Sequence, residues 1–300
     1  MLKAKANGIE LEYEIRGDEK GEPLVLIMGL GAQMTRWPSD LIDKLVARGF
    51  RVIRFDNRDT GLSEKLEAAG PPDLAAIIEA TRAGRKAPAA YTLDEMAADA
   101  VGLLDALGIA KAHIVGASMG GMIAQLVAAD YPDRVLSLTS IMSTTGAADL
   151  PRATPEAMAV LNNRGPDPLK DFEGFLAHSV KGSRVIGSPA YPADETELRE
   201  RATADFRRCY YPLGFARQYA AVMASPDRRA KLAKVKAPTV VVHGEADPLV
   251  PLAGGQDTAS NIAGAELEVF AGMGHDLPAA LHDRLVAAIS RAAERAKARA

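Results

Sequence analysis

The feature that most constrains the fold of this chain is a regular alternation of short β-rich apolar runs with longer helical patterns. The runs PLVLIMG, RVIRFD, HIVGAS, RVLSLTSIM, PTVVVHG and AELEVF follow an N-terminal pair of strand-like runs that flank Asn7-Gly8. Strands that alternate with helices typically form a parallel sheet covered on both faces. Asn-Gly favours a two-residue hairpin turn, because both residues adopt positive φ. The sequence therefore predicts an α/β fold: a mostly parallel twisted sheet with an N-terminal antiparallel hairpin.

One long segment, residues 143–232, interrupts the alternation. It contains helical patches, several prolines and most of the aromatic residues, but no convincing strand. A segment of this length is too long for a plain connection. We therefore expect a helical cap domain at 143–232, inserted into a core domain formed by 1–142 and 233–300. A shorter irregular stretch, residues 64–90, has a double proline and the basic run TRAGRK, and is interpreted as a solvated surface loop.

Composition excludes several classes of protein. The net charge of −3 argues against a nucleic-acid partner or an anionic membrane surface. No apolar run approaches the roughly 18–20 residues that span a bilayer, and the charged start lacks a signal-peptide core. A single cysteine, Cys209, excludes an internal disulfide and a thiolate metal cluster. A cytoplasmic enzyme is expected, and nothing in the sequence distinguishes a monomer from a homo-oligomer.

The stretch VGASMGG places Ser118 between Gly116 and Gly120, after a strand-like run and before a helical one. Glycine weakens regular elements, so its presence here needs a reason. A sharp strand-to-helix turn requires small neighbours and exposes the serine Oγ at the carboxyl edge of the sheet, where ligands bind. We predict that Ser118 is a nucleophile on such an elbow. The alternative is an ordinary glycine-rich turn.

A serine nucleophile needs a base to accept its proton and an acid to orient that base. His275 lies in AGMGHDLP, between the last strand and the last helix, and this loop opens at the same edge of the sheet. His275 is therefore the predicted base. The remaining histidines fall elsewhere: His113 and His243 in strands as core residues, His178 in the cap, and His282 in the last helix.

The predicted acid is Asp247, which follows a strand in VVVHGEADPLVP and thus lies at the correct edge. Pro248 and Pro251 stiffen its loop. Glu245 is the rival candidate. Asp276 is disfavoured, because the side chains of adjacent residues rarely hydrogen-bond to each other.

An oxyanion hole requires two backbone N–H donors beside the developing negative charge. Met119 follows the nucleophile at a helix N-terminus, so its N–H is available. The second donor is predicted to be Leu30 in IMGLGAQ, where Gly29 and Gly31 allow close backbone approach. MGLG is alternatively a plain turn or a phosphate loop. The G-x-G-x-x-G spacing and the Walker lysine are both missing, which argues against nucleotide binding.

Five motifs occur in a characteristic order: LIMGLGAQMTRWP, VIRFDNRDTGLS, VGASMGGMIAQ, HGEADPLVP and GMGHDLP. Together they resemble the α/β-hydrolase superfamily along essentially the whole chain, and are similar to the capped carboxylesterases that include aclacinomycin methylesterase. The resemblance implies cleavage of a small-molecule carboxylic ester through an acyl-enzyme on Ser118, with no cofactor and no metal. It also implies structural roles for Asp56 and Arg58. Met28-Gly29 departs from the usual His-Gly, which removes a polar side chain but keeps the backbone donors.

Several reactions share this acyl-transfer chemistry. Lactonase, thioesterase, carbon–carbon bond hydrolase and perhydrolase activities remain open, whereas a serine at the elbow argues against epoxide hydrolases and haloalkane dehalogenases. A non-catalytic small-molecule receptor is an alternative of a different class. Cap aromatic residues either roof an apolar pocket or, as the favoured interpretation, pack the cap on the core: Phe172, Phe175, Phe206, Tyr210, Tyr211, Phe215 and Tyr219.

Overall fold

Eight strands form a single sheet in the computed structural model, which describes residues 2–163 and 165–298. In chain order they are β1 (Leu2–Ala6), β2 (Ile9–Arg16), β3 (Glu22–Ile27), β4 (Phe50–Phe55), β5 (Ala112–Ala117), β6 (Val135–Ile141), β7 (Thr239–Gly244) and β8 (Glu266–Phe270). Across the sheet the order is β1-β2-β4-β3-β5-β6-β7-β8. The β1–β2 and β2–β4 pairs are antiparallel and all others are parallel. The predicted fold class is confirmed.

Helices cover both faces of this sheet. They are α1 (Ser39–Ala47), α2 (Leu74–Arg82), α3 (Leu93–Ala106), α4 (Met119–Asp130), α5 (Pro155–Asn162), α6 (Phe172–Ile186), α7 (Glu195–Arg208), α8 (Pro212–Ala224), α9 (Arg229–Leu232), α10 (Leu252–Ser260) and α11 (His282–Lys297). Helices α3 and α4 bury their apolar residues against one face, and α1 and α11 against the other. Among the helices described, none is both long and apolar enough to cross a membrane.

Strand β5 carries the predicted nucleophile to the middle of the sheet. Every residue of Ala112–Ala117 is buried, which fits a continuous apolar run in a parallel sheet covered on both faces. Its neighbours are β3 and β6. The carboxyl ends of β3, β5, β7 and β8 therefore bring the loops that follow them to one edge of the molecule.

The helices α5 to α9 lie between β6 and β7, within the interval 143–232 for which a cap is predicted. No strand occurs in the described part of that interval. Its assignment as a separate domain stays a prediction. Helix α8 is joined to the loops after β3 and β4 by the hydrogen bonds of Gln218 and the ion pair of Arg217 described below.

The interpretation of residues 64–90 as a solvated loop is wrong for its middle third. Helix α2 forms there, and the Asp73 side chain caps it by accepting a hydrogen bond from Ala76 N at 3.0 Å. Ile77 and Ala80 are buried, and α2 packs against α8. Pro71 and Pro72 immediately precede Asp73, the N-cap residue of α2, so they mark the end of the loop and the start of a helix.

Candidate active site

Ser118 has an unusual backbone conformation between β5 and α4. Its φ of 56° and ψ of −122° fall in a region that residues other than glycine rarely adopt. Hydrogen bonds on both sides hold it there: Ser118 N donates to Ile141 O at 2.9 Å, and Ser143 Oγ donates to Ser118 O at 2.9 Å. Backbone strain of this kind, over-determined by its surroundings, is concentrated at functional sites.

Gly116 and Gly120 lie where two backbone segments approach closely. A Cβ atom at Gly116 would lie 2.0 Å from Gly120 O, and one at Gly120 would lie 2.0 Å from Ile27 O. Any side chain at either position would push α4 away from β3 or β5. The sequence pattern around Ser118 thus has a steric cause that is independent of any reaction.

The structure brings together the three side chains singled out from the sequence. His275 Nε2 lies 2.9 Å from Ser118 Oγ, and His275 Nδ1 lies 2.7 Å from Asp247 Oδ2. The side chains of His275 and Asp247 are 7% and 0% exposed. Because a carboxylate only accepts hydrogen bonds, Nδ1 carries the proton and the lone pair of Nε2 faces the serine hydroxyl.

The loop after β7 fixes the orientation of the Asp247 carboxylate. Its Oδ1 accepts hydrogen bonds from Leu249 N and Val250 N, each at 2.9 Å, so Oδ2 is left for His275. Glu245, the rival candidate, is exposed to solvent.

The Asp276 carboxylate accepts hydrogen bonds from Ser188, two residues beyond the end of the inserted helix α6. Ser188 Oγ donates a short hydrogen bond to Asp276 Oδ1, and Ser188 N lies 3.2 Å from Asp276 Oδ2. The backbone N–H of His275 donates to Ile186 O at 2.7 Å. The loop that carries His275 is therefore tied to the inserted helices, a contact for which the sequence holds no evident signal.

The two strand histidines are buried, as expected from the sequence. Burial lowers the pKa of His113 to about 4, and burial also lowers the pKa of His243. His243 Nε2 lies 2.8 Å from Val250 O, in the turn that presents Asp247. The other two histidines bond elsewhere: His178 Nε2 to Asn163 O at 2.9 Å, and His282, the first residue of α11, through Nδ1 to Asp40 Oδ2 at 2.8 Å.

The loop after β3 lies directly against the elbow. A Cβ atom at Gly29 would be 3.1 Å from Ser118 Cβ and 3.5 Å from Ser118 Oγ. Neither Leu30 N–H nor Met119 N–H donates to a protein acceptor among the residues that the structure describes. Two free backbone donors are thus available in the segments that flank the serine hydroxyl.

Asp56 and Asn57, which follow β4, brace this loop. Asp56 Oδ1 accepts a hydrogen bond from Met34 N at 2.7 Å, and Asn57 Nδ2 donates to Met28 O at 2.9 Å. Arg58 instead forms a buried ion pair with Asp99, with an Nη2–Oδ1 distance of 2.6 Å. The first two contacts therefore join the loop after β4 to the loop after β3.

Three residues of α8 reach the same loops. Gln218 and Arg217 were not predicted from the sequence, whereas Phe215 is one of the aromatic residues expected either to roof a pocket or to pack on the core. Gln218 Oε1 accepts a hydrogen bond from Gly31 N at 2.8 Å. Arg217 pairs with Asp59, which follows β4. The ring of Phe215 lies so close that a Cβ atom at Gly31 would be 2.5 Å from its Cδ2. The available signal was an adjacent arginine and glutamine in a helix otherwise rich in small residues, which predicts buried polar contacts.

The fold, and a serine, a histidine and an aspartate joined by hydrogen bonds at the carboxyl edge of its sheet, define the class of the α/β hydrolases. The family description "alpha/beta hydrolase fold" matches residues 22–278, and the chain belongs to this family. The resemblance inferred from the five motifs is confirmed.

Among individual proteins, the chain is similar to rhodomycin D methylesterase DnrP of Streptomyces peucetius, with 31% identity over an alignment that covers 94% of each chain. It is 30% identical to a 2-hydroxy-6-oxononadienedioate/2-hydroxy-6-oxononatrienedioate hydrolase of Burkholderia vietnamiensis, covering 90% of this chain and 86% of that one. The structure of the meta-cleavage product hydrolase CumD of Pseudomonas fluorescens superposes with a TM-score of 0.76 at 21% identity, covering 99% of this chain and 98% of CumD. That last likeness concerns the fold alone.

Proposed function

We propose that this protein is a serine hydrolase that cleaves carboxylic esters through an acyl-enzyme on Ser118. The observation that carries the proposal is the continuous chain of hydrogen bonds from Ser118 Oγ through His275 to Asp247, with distances of 2.9 and 2.7 Å. In this proposal His275 is the general base, and Asp247 holds its tautomer and stabilises the imidazolium.

Each step follows from this arrangement. Ser118 Oγ attacks the ester carbonyl carbon while its proton passes to His275 Nε2. The N–H groups of Leu30 and Met119 stabilise the oxyanion of the tetrahedral intermediate. His275 then returns the proton to the departing alcohol oxygen, which leaves the acyl group on Ser118. His275 then takes a proton from a water molecule, whose oxygen attacks the acyl carbon. The bond from that carbon to Ser118 Oγ breaks as His275 returns the proton to Oγ, and the carboxylic acid leaves.

Methyl esters of carboxylic acids are the substrate class that we propose to test first. The support is the similarity to a rhodomycin D methylesterase along 94% of both chains. Methanol is then the leaving group, and the acyl part occupies the space under the inserted helices. We propose that those helices belong to a cap domain formed by residues 143–232, and that this domain determines which acyl groups fit.

A carbon–carbon bond hydrolase is the second candidate, favoured by the 30% identity to the Burkholderia vietnamiensis hydrolase. The products distinguish the two reactions, because, of the two enzymes, only the esterase releases an alcohol. Lactonase, thioesterase and perhydrolase activities use the same three side chains and belong in the same substrate panel. A non-catalytic receptor would bind such compounds without turnover.

The proposal is tested with a fluorophosphonate label and with methanol release from a panel of methyl esters. We expect the wild type to be labelled at Ser118, and Ser118→Ala to lose labelling and at least about 10³-fold in kcat. Ser260→Ala, at an exposed serine near the end of α10, is the matched control and should behave as wild type. Labelling that persists in Ser118→Ala, or a tenth of the wild-type rate, would refute the assignment of Ser118.

A further inference from the structure

Gln218 of α8 is completely buried, and both the oxygen and the nitrogen of its amide form hydrogen bonds. Oε1 accepts from Gly31 N at 2.8 Å, while Nε2 donates to Arg58 O and to Thr60 Oγ1, each at 2.7 Å. These partners determine which way the amide faces. In the opposite orientation Nε2 would face the N–H of Gly31, which places two donors together. Oε1 would face Arg58 O, which places two acceptors together, so neither hydrogen bond could form.

The group that Gln218 binds belongs to a tight turn. Ala32 N donates to Gly29 O at 3.2 Å, and Gly31, the third residue of the turn, has a φ of 66°. Positive φ at this position, with negative φ at the residue before it, is typical of a type II turn. Type I and type II turns differ by a rotation of the central peptide, here the one between Leu30 and Gly31. An acceptor that binds Gly31 N–H therefore selects one of the two orientations.

The same turn carries the free N–H of Leu30, one peptide earlier, and rests on Ser118 through Gly29. From these contacts, and on the basis of the function proposed above, we infer that Gln218 is a positioning residue of the oxyanion hole. Its Oε1 holds the Gly29–Ala32 turn in place, so that Leu30 N–H is directed to where the oxyanion forms. An oxyanion donor is effective only within a narrow range of distance, and displacement by about 1 Å is enough to lower the rate severely.

No other group within the described residues accepts a hydrogen bond from Gly31 N. Removing Oε1 leaves this N–H without a partner at the interface with α8, which favours rotation of the central peptide. Phe215, three residues earlier on α8, packs on Gly31 from the same side and cannot supply the missing acceptor, because it has no polar atom.

The test is Gln218→Met, which keeps the length of the side chain and removes its hydrogen bonds. We expect kcat for a methyl ester to fall about 10- to 100-fold, because one oxyanion donor contributes about 10²- to 10³-fold and misplacement loses part of this. KM should change less than about twofold, since ground-state binding is not affected. Rates are expressed per active site titrated by the fluorophosphonate, so that unfolded protein is not counted.

The affinity for a trifluoromethyl ketone is a second measurement, and its selective loss would not result from a loss of structure alone. Its hemiketal with Ser118 carries an oxyanion, whereas the corresponding secondary alcohol is neutral and forms no covalent bond to Ser118. In Gln218→Met the affinity for the ketone should fall in parallel with kcat, and the affinity for the alcohol should stay within about twofold. Gln218→Asn is the second variant, because it keeps an amide in the pocket and withdraws the acceptor by one methylene; the same losses are expected.

The matched control is Gln33→Met. Gln33 is also a buried amide that joins the loop after β3 to the segment of α7, through Asp205 O, Cys209 O and Arg208 Nη1, and within the described residues its side chain forms no hydrogen bond to the turn. Its kcat and ketone affinity should stay close to wild type. Equal losses in both methionine variants, or wild-type kcat in Gln218→Met, would overturn the inference while Ser118→Ala still verifies the proposed function. An inactive wild type would instead refute the proposed function, and the inference with it.

Discussion

Arg217 of the inserted helix α8 and Asp59 of the loop after β4 form a two-point ion pair in the interior of the protein. Arg217 Nη2 lies 2.6 Å from Asp59 Oδ1, and Nε lies 2.8 Å from Oδ2. Both side chains are almost completely buried, at 1% and 0% exposure. The hydroxyl of Tyr91 also donates to Asp59 Oδ2, at 2.9 Å, and burial raises the pKa of this phenol, so it stays a donor.

Arg217→Met is expected to destabilise the protein, because it leaves the carboxylate of Asp59 buried without its counterion. Breaking a buried pair in this way costs about 3–5 kcal/mol of unfolding free energy. Urea denaturation measures this loss. The double variant Arg217→Met/Asp59→Asn should recover part of it, since the buried charge is then removed. A single variant as stable as wild type would show that the pair does not hold α8 to the core.

Asp247→Asn should lower kcat by up to about 10⁴-fold and leave the fold intact, because the amide favours the wrong tautomer of His275. The measurement is kcat on a methyl ester, with circular dichroism to verify folding. Retention of more than a tenth of the wild-type kcat would contradict the proposed role of Asp247.

Two neighbouring acids provide the controls for that experiment. Glu245→Gln should be neutral, because the Glu245 side chain is exposed. Asp276→Asn should cost far less than Asp247→Asn, because asparagine keeps one acceptor for Ser188 and the backbone bond from His275 N to Ile186 O still attaches the loop to α6. A severe loss in Glu245→Gln would move the orienting acid to position 245.

The aromatic residues of the inserted helices should divide into two functional groups. Four rings contact one another at centroid distances from 5.2 to 6.1 Å: Phe172, Phe175, Phe206 and Tyr210. Phe215 instead stacks on Tyr219, at 6.4 Å, and packs on Gly31 beside the candidate oxyanion hole. Phe215→Leu should therefore change the ranking of kcat/KM among esters with different acyl groups.

Phe172→Leu is the control for Phe215→Leu. It removes one ring from the four-ring cluster, so we expect a lower Tm with an unchanged ranking of esters. The same change of ranking in both variants would show that Phe215 has no special relation to the acyl group.

His113 should make the protein less stable as the pH falls from about 6.5 to about 4. Its pKa is lowered to about 4 by burial, against about 6.5 in an unfolded chain, so in this window the unfolded state binds more protons than the folded state. The loss of unfolding free energy should reach about 2–3 kcal/mol near pH 4.5. The lowered pKa of His243 acts in the same direction.

Urea denaturation at pH 7 and pH 4.5, for the wild type and His113→Asn, measures this effect. Asparagine keeps a polar group near Ser137 Oγ, which lies 2.8 Å from His113 Nδ1, but does not titrate. The variant should lose less stability on acidification. An identical pH dependence in both proteins would mean that His113 is not responsible.

The sheet and the proximity of Ser118, Asp247 and His275 could be predicted from the sequence for one reason. Ser118 directly follows β5, and Asp247 and His275 lie in the loops that follow β7 and β8. The carboxyl ends of parallel strands meet at one edge. Local patterns are sufficient for this, because the strand period, the glycines and the chain order each point to the same arrangement.

The contributions of α8 could not be predicted in the same way. Gln218 and Asp59 meet partners that are far away in the sequence, at Gly31 and Arg217, and no local pattern encodes a contact between an inserted helix and a loop. Helix α2 was missed for a related reason: its apolar face is covered by α8, so its burial depends on a segment more than 130 residues later in the chain.

The attachment of α8 affects how this enzyme can be re-engineered. In a graft of residues 143–232 from a relative, the foreign α8 would arrive with its own side chains opposite Gly31 and Asp59 of the host. Such a chimaera would exchange the proposed cap and disturb the proposed reaction centre at the same time. A graft that exchanges α5, α6 and α7 and retains α8 from the host keeps the bonds of Gln218 and Arg217, and so separates the choice of substrate from the rate of the chemistry.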